Sequence, residues 1–146
     1  SEFAGTVPVR HLLPYWKTSN RYLFSGGSVN MRDAAVYAKE ENWSKAVELW
    51  KQTYETKKGK QKMYAAYNTA LGYEMQDSID TALEWALKAQ TLAREKSKTD
   101  KKETGEIHNG TISYYIFISM YVDELEKRKE GMARLNMQMN RFDDDF

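Results

Sequence analysis

The sequence predicts an all-α fold: two antiparallel helix pairs in tandem, capped by a long C-terminal helix and entered through an extended N-terminal arm. Three observations carry this reading. Prolines number two and glycines eight in 146 residues, so helix breakers are scarce. A set of Tyr, Ala and bulky residues recurs at a shift of 36, from Tyr37 to Tyr73. From Tyr114 onward, apolar residues recur at alternating steps of 4 and 3 as far as Met139, the spacing of a helical seam.

The arm occupies residues 1–29. Pro8, Pro14, Gly26 and Gly27 exclude a continuous helix there. Yet Val7, Val9, Leu12, Leu13, Tyr15, Trp16, Tyr22, Leu23 and Phe24 are more apolar bulk than a solvated tail needs. The arm is therefore expected to lie over an apolar helix face.

The helical domain is expected over residues 30–142. Asp33 to Lys39 reads as a helix, Glu40-Glu41-Asn42 as a turn, and Ser44 to Tyr54 as a second helix with Ser44 at its N-cap. Lys57-Lys58-Gly59-Lys60 is a polar break. Lys62 to Met75 is the third helix, Gln76-Asp77-Ser78 a turn, and Ile79 to Glu95 the fourth. Ser97 to Glu103 reads as a charged loop, and helix resumes near Ile107 and runs to about Met139. Residues 143–146 form an acidic tail.

The two units, about 30–56 and 62–95, follow the tetratricopeptide (TPR) pattern. That pattern asks for Tyr, then Ala, then a bulky residue, then Ala. The first unit supplies Tyr37, Ala46, Trp50 and Thr53, and the second Tyr73, Ala82, Ala86 and Ala89, with Asn68 ahead of its Tyr. A small residue at Ala46 or Ala82 lets two antiparallel helices approach closely. Two departures stand out: Ala34 and Ala70 replace the usual Gly, and neither unit ends on Pro. Two units fall below the usual minimum of about three, so something must cap the pair.

The cap is the long C-terminal helix, about 107–139. Its seam reads Tyr114, Ile118, Tyr121, Leu125, Arg128, Met132, Leu135, Met139, a heptad pattern broken only at Arg128. From Tyr114 to Met139 it would span roughly 39 Å at about 1.5 Å per residue. The first half, with Ile112, Tyr115 and Ile116 also apolar, is expected to pack on the second unit. The second half should overhang it, leaving Met132, Leu135 and Met139 in need of cover. Either the arm from Leu12 to Phe24 or a second copy of the chain can supply it, and the arm is the preferred cover because it has the opposite need.

Several segments taken together resemble a known family. They are Tyr15-Trp16 with Arg21-Tyr22, Trp43-Ser44-Lys45-Ala46-Val47-Glu48-Leu49-Trp50-Lys51, Ala65-Ala66-Tyr67-Asn68-Thr69-Ala70-Leu71-Gly72-Tyr73-Glu74, and Tyr121-Val122-Asp123-Glu124-Leu125-Glu126-Lys127-Arg128-Lys129 with Leu135-Asn136. In order and spacing they resemble an uncharacterised family of Bacteroidetes lipoproteins with a C-terminal TPR-like domain. The resemblance spans roughly residues 10–140. It implies a protein exported to the cell envelope, facing the periplasm or the cell surface. It implies a lipid anchor on an upstream Cys and an N-terminal domain ahead of this sequence. The opening Ser1-Glu2-Phe3 is compatible with a cloning remnant. No activity is implied.

Composition bounds the function. Lys+Arg number 22 against 21 Asp+Glu, a net charge of +1, which argues against a nucleic-acid partner. With no Cys and only two His, His11 and His108, thiolate chemistry is excluded and metal or acid–base sites have little material. No phosphate loop, HExxH or Ser-nucleophile motif is present. The expectation is a non-enzymatic module without cofactor or metal, whose partner is a protein or peptide segment.

The candidate ligand groove is the concave face made by the first helix of each pair. It would carry Arg32 and Lys39, beside Met31 and Ala35, from one unit. From the other come Tyr64, Tyr67, Asn68 and Glu74, beside Leu71 and Met75. Amide, phenol and charge together suit an extended peptide. A second candidate is a basic rim of Lys57, Lys58, Lys60, Lys98, Lys101 and Lys102, able to meet an anionic lipid or glycan. A third is self-association through Met132, Leu135 and Met139, giving a homodimer. Contact with a membrane is expected only through the lipid anchor.

Overall fold

Two helical hairpins with the same turn, 36 residues apart, organise the chain. The computed structural model describes residues 3–9, 19–104 and 109–144, with side chains over 21–98 and 114–141. Helices α1 (Val29–Lys39) and α2 (Trp43–Thr56) make the first hairpin, α3 (Lys60–Met75) and α4 (Ile79–Thr104) the second. Helix α5 (Asn109–Asp144) follows, and strands β1 (Phe3–Val9) and β2 (Ser19–Phe24) precede them. The described chain is mostly helical.

The two turns close on the same backbone bond. In the first, the Asn42 N–H donates to the Tyr37 carbonyl at 2.8 Å; in the second, the Ser78 N–H donates to the Tyr73 carbonyl at 2.9 Å. Glu41 (φ 60°) and Asp77 (φ 59°) sit at equivalent places in the left-handed region, a conformation costly for a residue with a Cβ and easier for Asp than for Glu. The same turn built on different residues shows that the pattern is geometric. Ala46 and Ala82, the small residues of the repeat, are both fully buried.

Helix boundaries differ from the sequence expectation, and first in α1, which begins at Val29 rather than Asp33 because Ser28 caps it, its hydroxyl accepting from the Met31 N–H at 3.4 Å. Helix α2 starts at Trp43 because Asn42, not Ser44, caps it, its Oδ1 accepting from the Lys45 N–H at 3.4 Å. Helix α4 continues through Ser97–Glu103 to Thr104 rather than ending in a charged loop. That stretch holds no Gly or Pro, its Lys and Glu residues are good helix formers, and the Ser97 hydroxyl donates to the Ala93 carbonyl at 3.1 Å. Helix α5 runs past Met139 to Asp144, taking in the start of the acidic tail. The side chains of Lys101, Lys102, His108, Ile112 and Asp143–Asp145 lie outside the described residues.

The core sits between consecutive helices. Helix α3 is its axis: from Met63 to Gly72 every residue is buried, because α2, α4 and β2 all lie against it. Gly72 lets α2 approach, since a Cβ there would run into Val47. Helix α5 packs along α4, and its seam residues Ile118, Tyr121 and Leu125 are buried.

The arm is a β-hairpin. Strand β1 pairs antiparallel with β2, from Val9 opposite Ser19 to Phe3 opposite Phe24, with a bulge between Phe3 and Gly5. Along β2, Arg21 and Leu23 point inward and Tyr22 outward, and Phe24 is buried too. Arg21 and Phe24 rest on α3 and on the first half of α5. Among the described residues the arm does not cover the far seam: Met139 is 55% exposed. The arm was expected over that stripe, but β2 has a stronger claim on α3, where its backbone and Arg21 find polar partners. Leu12, Leu13, Tyr15, Trp16 and His11 lie outside the described residues.

Candidate functional site

On α3 the positions Tyr64, Tyr67, Asn68, Leu71 and Glu74 share one face, set by the helical spacing of three and four. Strand β2 lies along that face. Asn68, fully buried, works as a clamp: its Oδ1 accepts from the Phe24 N–H at 3.0 Å and its Nδ2 donates to the Phe24 carbonyl at 2.6 Å. A side-chain amide here imitates the backbone of a neighbouring strand. From the adjacent position on α3, the Tyr67 hydroxyl donates to the Tyr22 carbonyl at 2.6 Å.

Phe24 fills an aromatic box. Its ring stacks on Tyr64 at a centroid distance of 4.2 Å and meets Tyr67 edge-on at 5.3 Å. Tyr114 and Phe117 of α5 close the box at 6.0 and 6.2 Å. The Tyr64 hydroxyl donates to that of Tyr114 at 2.8 Å, so the box is tied across α3 and α5. Stacked and edge-to-face pairs of this kind add to the burial of area.

At the other end of the face is Glu74, with 0% exposure. A buried carboxylate needs partners, and this one has three. Arg21 of β2 binds it through two nitrogens, Nε to Oε1 at 3.0 Å and Nη2 to Oε2 at 3.0 Å. The Tyr121 hydroxyl of α5 donates to Oε1 at 2.9 Å. Arg128 Nε lies 3.2 Å from Oε2. Glu124 adds a fourth charge, accepting from Arg21 Nη2 at 3.4 Å. One carboxylate thus ties the arm, the core helix and the cap together.

The titration behaviour follows from these contacts. Burial by itself lowers the Arg21 pKa, but the hydrogen bond and charge of Glu74 outweigh it and hold the guanidinium above its ordinary range. Arg128 is lowered, because its burial outweighs the same Glu74 attraction. Burial raises the Tyr121 phenol well above its usual value, with the Glu74 charge adding to it. Tyr67 is raised mainly by burial.

The site takes in four of the six groove residues named from sequence: Tyr64, Tyr67, Asn68 and Glu74 are all beneath β2. Arg32 and Lys39 are exposed on α1 and take no part. This face of α3 is covered by the chain's own strand β2. A cleft of about 130 Å³ remains at its edge, between Arg21, Tyr67, Met120 and Glu124. Sequence reasoning missed Arg21, Phe24, Tyr121 and Glu124 as members of the site. Arg128 did leave a signal, as the one charge in an apolar seam.

Over residues 32–127 the chain matches a family described as a domain of unknown function (DUF6340). The chain belongs to the DUF6340 family. The match contains Asn68, Glu74, Tyr121 and Glu124, and leaves β2 and Arg128 outside it. No curated protein and no solved structure matches the chain.

Elsewhere in this DUF6340 domain the other candidates sort as follows. Lys57, Lys58 and Lys60 are exposed at the α2–α3 junction, with Lys60 Nζ 5.7 Å from the centre of the Tyr114 ring. Lys98 is on α4 and pairs with Glu95 at 3.5 Å, so this part of the rim is helical. Met132 and Leu135 are half-buried. Among the described residues no helix is long and apolar enough to cross a membrane, and no three His, Asp or Glu stand together as metal ligands.

Proposed function

We propose that this DUF6340 domain is a non-enzymatic, TPR-like interaction module whose concave groove grips an extended protein segment. Within the chain the occupant is β2, so the groove acts first as a clasp on its own arm. A segment of another protein enters where β2 leaves. The observation that carries this reading is the Asn68 clamp. A fully buried amide bonds both backbone groups of one residue, Phe24, which is how a groove holds a strand independent of its side chains. Specificity then comes from the Glu74 end, which takes a guanidinium, and the Tyr64 end, which takes a ring.

The TPR-like reading is supported by two hairpin turns that share a closing bond and a left-handed residue, and by buried Ala46 and Ala82. The setting we propose, a lipid-anchored protein of the cell envelope, rests on the sequence resemblance alone.

The test loosens the arm and offers it back. In Arg21→Ala/Phe24→Ala the arm loses its two anchors. A labelled peptide of residues 1–26 is expected to bind this variant in a one-to-one ratio and to leave the wild-type chain untouched. Equal binding to both, or none to a variant whose helicity by circular dichroism is intact, rejects the groove as a segment-binding site.

A further inference from the structure

The α5 seam fades out of the protein along its length. Ile118, Tyr121 and Leu125 are buried, Arg128 reaches Glu74, Met132 and Leu135 are half-buried, and Met139 is 55% exposed. The backbone helix continues to Asp144, so helical register sets Phe142 as the next seam position. This is a regular apolar stripe with one half packed and the other half open.

We propose that the open half, Met132, Leu135 and Met139, joins the same surface of a second copy as an antiparallel helix pair centred on Asn136. The charge pattern selects this partner and this orientation. Lys129, Asn136 and Asp143 stand seven residues apart, on one flank of the seam. Antiparallel pairing about Asn136 places the Lys129 position of each copy opposite the Asp143 position of the other, and Asn136 opposite its own mate. In the seam, Leu135 meets Met139 of the second copy. A parallel pair would instead set the Lys127–Lys129 run and the Asp143–Asp145 run each against its own likeness, which repels.

The protein leaves room for the second helix. A slot of about 450 Å³ opens beside Met132, Asn136 and Ile79, with Lys129 and Asp80 on its rim. In the antiparallel pair this slot receives the end of the second copy's α5. Lys129 already holds Asp80 at 3.0 Å, but both side chains are exposed, so that bond contributes little and yields easily.

The experiment uses the full chain. Sedimentation across a concentration series is expected to show a reversible monomer–dimer equilibrium, and Leu135→Glu to weaken it by about tenfold or more. Lys129→Glu and Asp143→Lys are each expected to weaken it several-fold, and the double exchange to restore it. The chain has no Cys, so orientation can be read directly with a short bis-maleimide. Asn136→Cys should cross-link to its mate. Lys129→Cys should not, because its mate lies about 21 Å along the axis. A chain monomeric at every concentration overturns the proposal. So does a dimer that keeps its strength in Leu135→Glu, or one in which both cysteine variants cross-link equally.

Discussion

Glu74 on α3 and Arg128 on α5 face each other at 3.2 Å, and this pair explains the one break in the C-terminal seam. A charge in an apolar heptad reads as a defect when the helix is considered alone. Here it answers a carboxylate that Arg21 approaches from the opposite side. The cap, the core helix and the arm therefore depend on a single acid. Its removal should act on all three.

Glu74→Gln keeps the shape and removes the charge. Arg21 then keeps only the part-exposed Glu124, and Arg128 loses its buried acid. Breaking a buried pair by removing one partner costs about 3–5 kcal/mol, and urea denaturation should show a loss in that range. A triple variant, Arg21→Met/Glu74→Leu/Arg128→Met, should recover much of it, since apolar replacement of a whole buried cluster is often neutral. A Glu74→Gln loss under about 1 kcal/mol would mean that the cluster is screened by water.

Asn68→Ala removes the clamp on Phe24. Both backbone groups of that residue lose their side-chain partner, a loss of about 1–3 kcal/mol. The loss is local to the arm, so the Phe24 amide should exchange with solvent much faster while amides in the middle of α3 stay protected. Uniform loss of protection through α3 would show instead that the clamp and the core open together.

Gly72→Ala sets two effects against each other. In an open helix the change gains about 1 kcal/mol from propensity. Here the new methyl meets Val47, and overpacking costs about 1–3 kcal/mol. A net loss is expected, reversed by adding Val47→Ala, which vacates the space. Thermal melting of the two variants separates them. A stabilised single variant would show that Val47 yields to the added methyl.

Alkaline pH should unfold the domain through its buried phenols. Tyr67 and Tyr121 have raised pKa values in the folded state, so folded chains keep protons that unfolded chains release above about pH 10. Their contribution is complete below that value and is lost as pH rises beyond it. Each phenol steepens the decline by at most about 1.4 kcal/mol per pH unit. Tyr121→Phe should therefore flatten stability against pH above 10 relative to wild type. It should also weaken the protein at neutral pH, because Glu74 loses a donor.

The sequence by itself determined the helices, the repeat and the seam. Residue spacing alone creates an apolar face, and the pairs Tyr37/Tyr73 and Ala46/Ala82 recur whatever surrounds them. Tyr64, Tyr67, Asn68 and Glu74 were legible as one face of α3 for the same reason. What lies on that face was not. The arm's apolar content showed that it must pack somewhere, but Arg21 and Phe24 find Glu74 and Asn68 across more than forty residues of chain, and no local pattern encodes such a meeting. Only the tertiary structure decided that β2 covers this face, that Arg128 turns inward and that Met139 is left outside. Burial and ion pairing depend on which elements arrive at the same place, whereas periodicity depends only on the element itself.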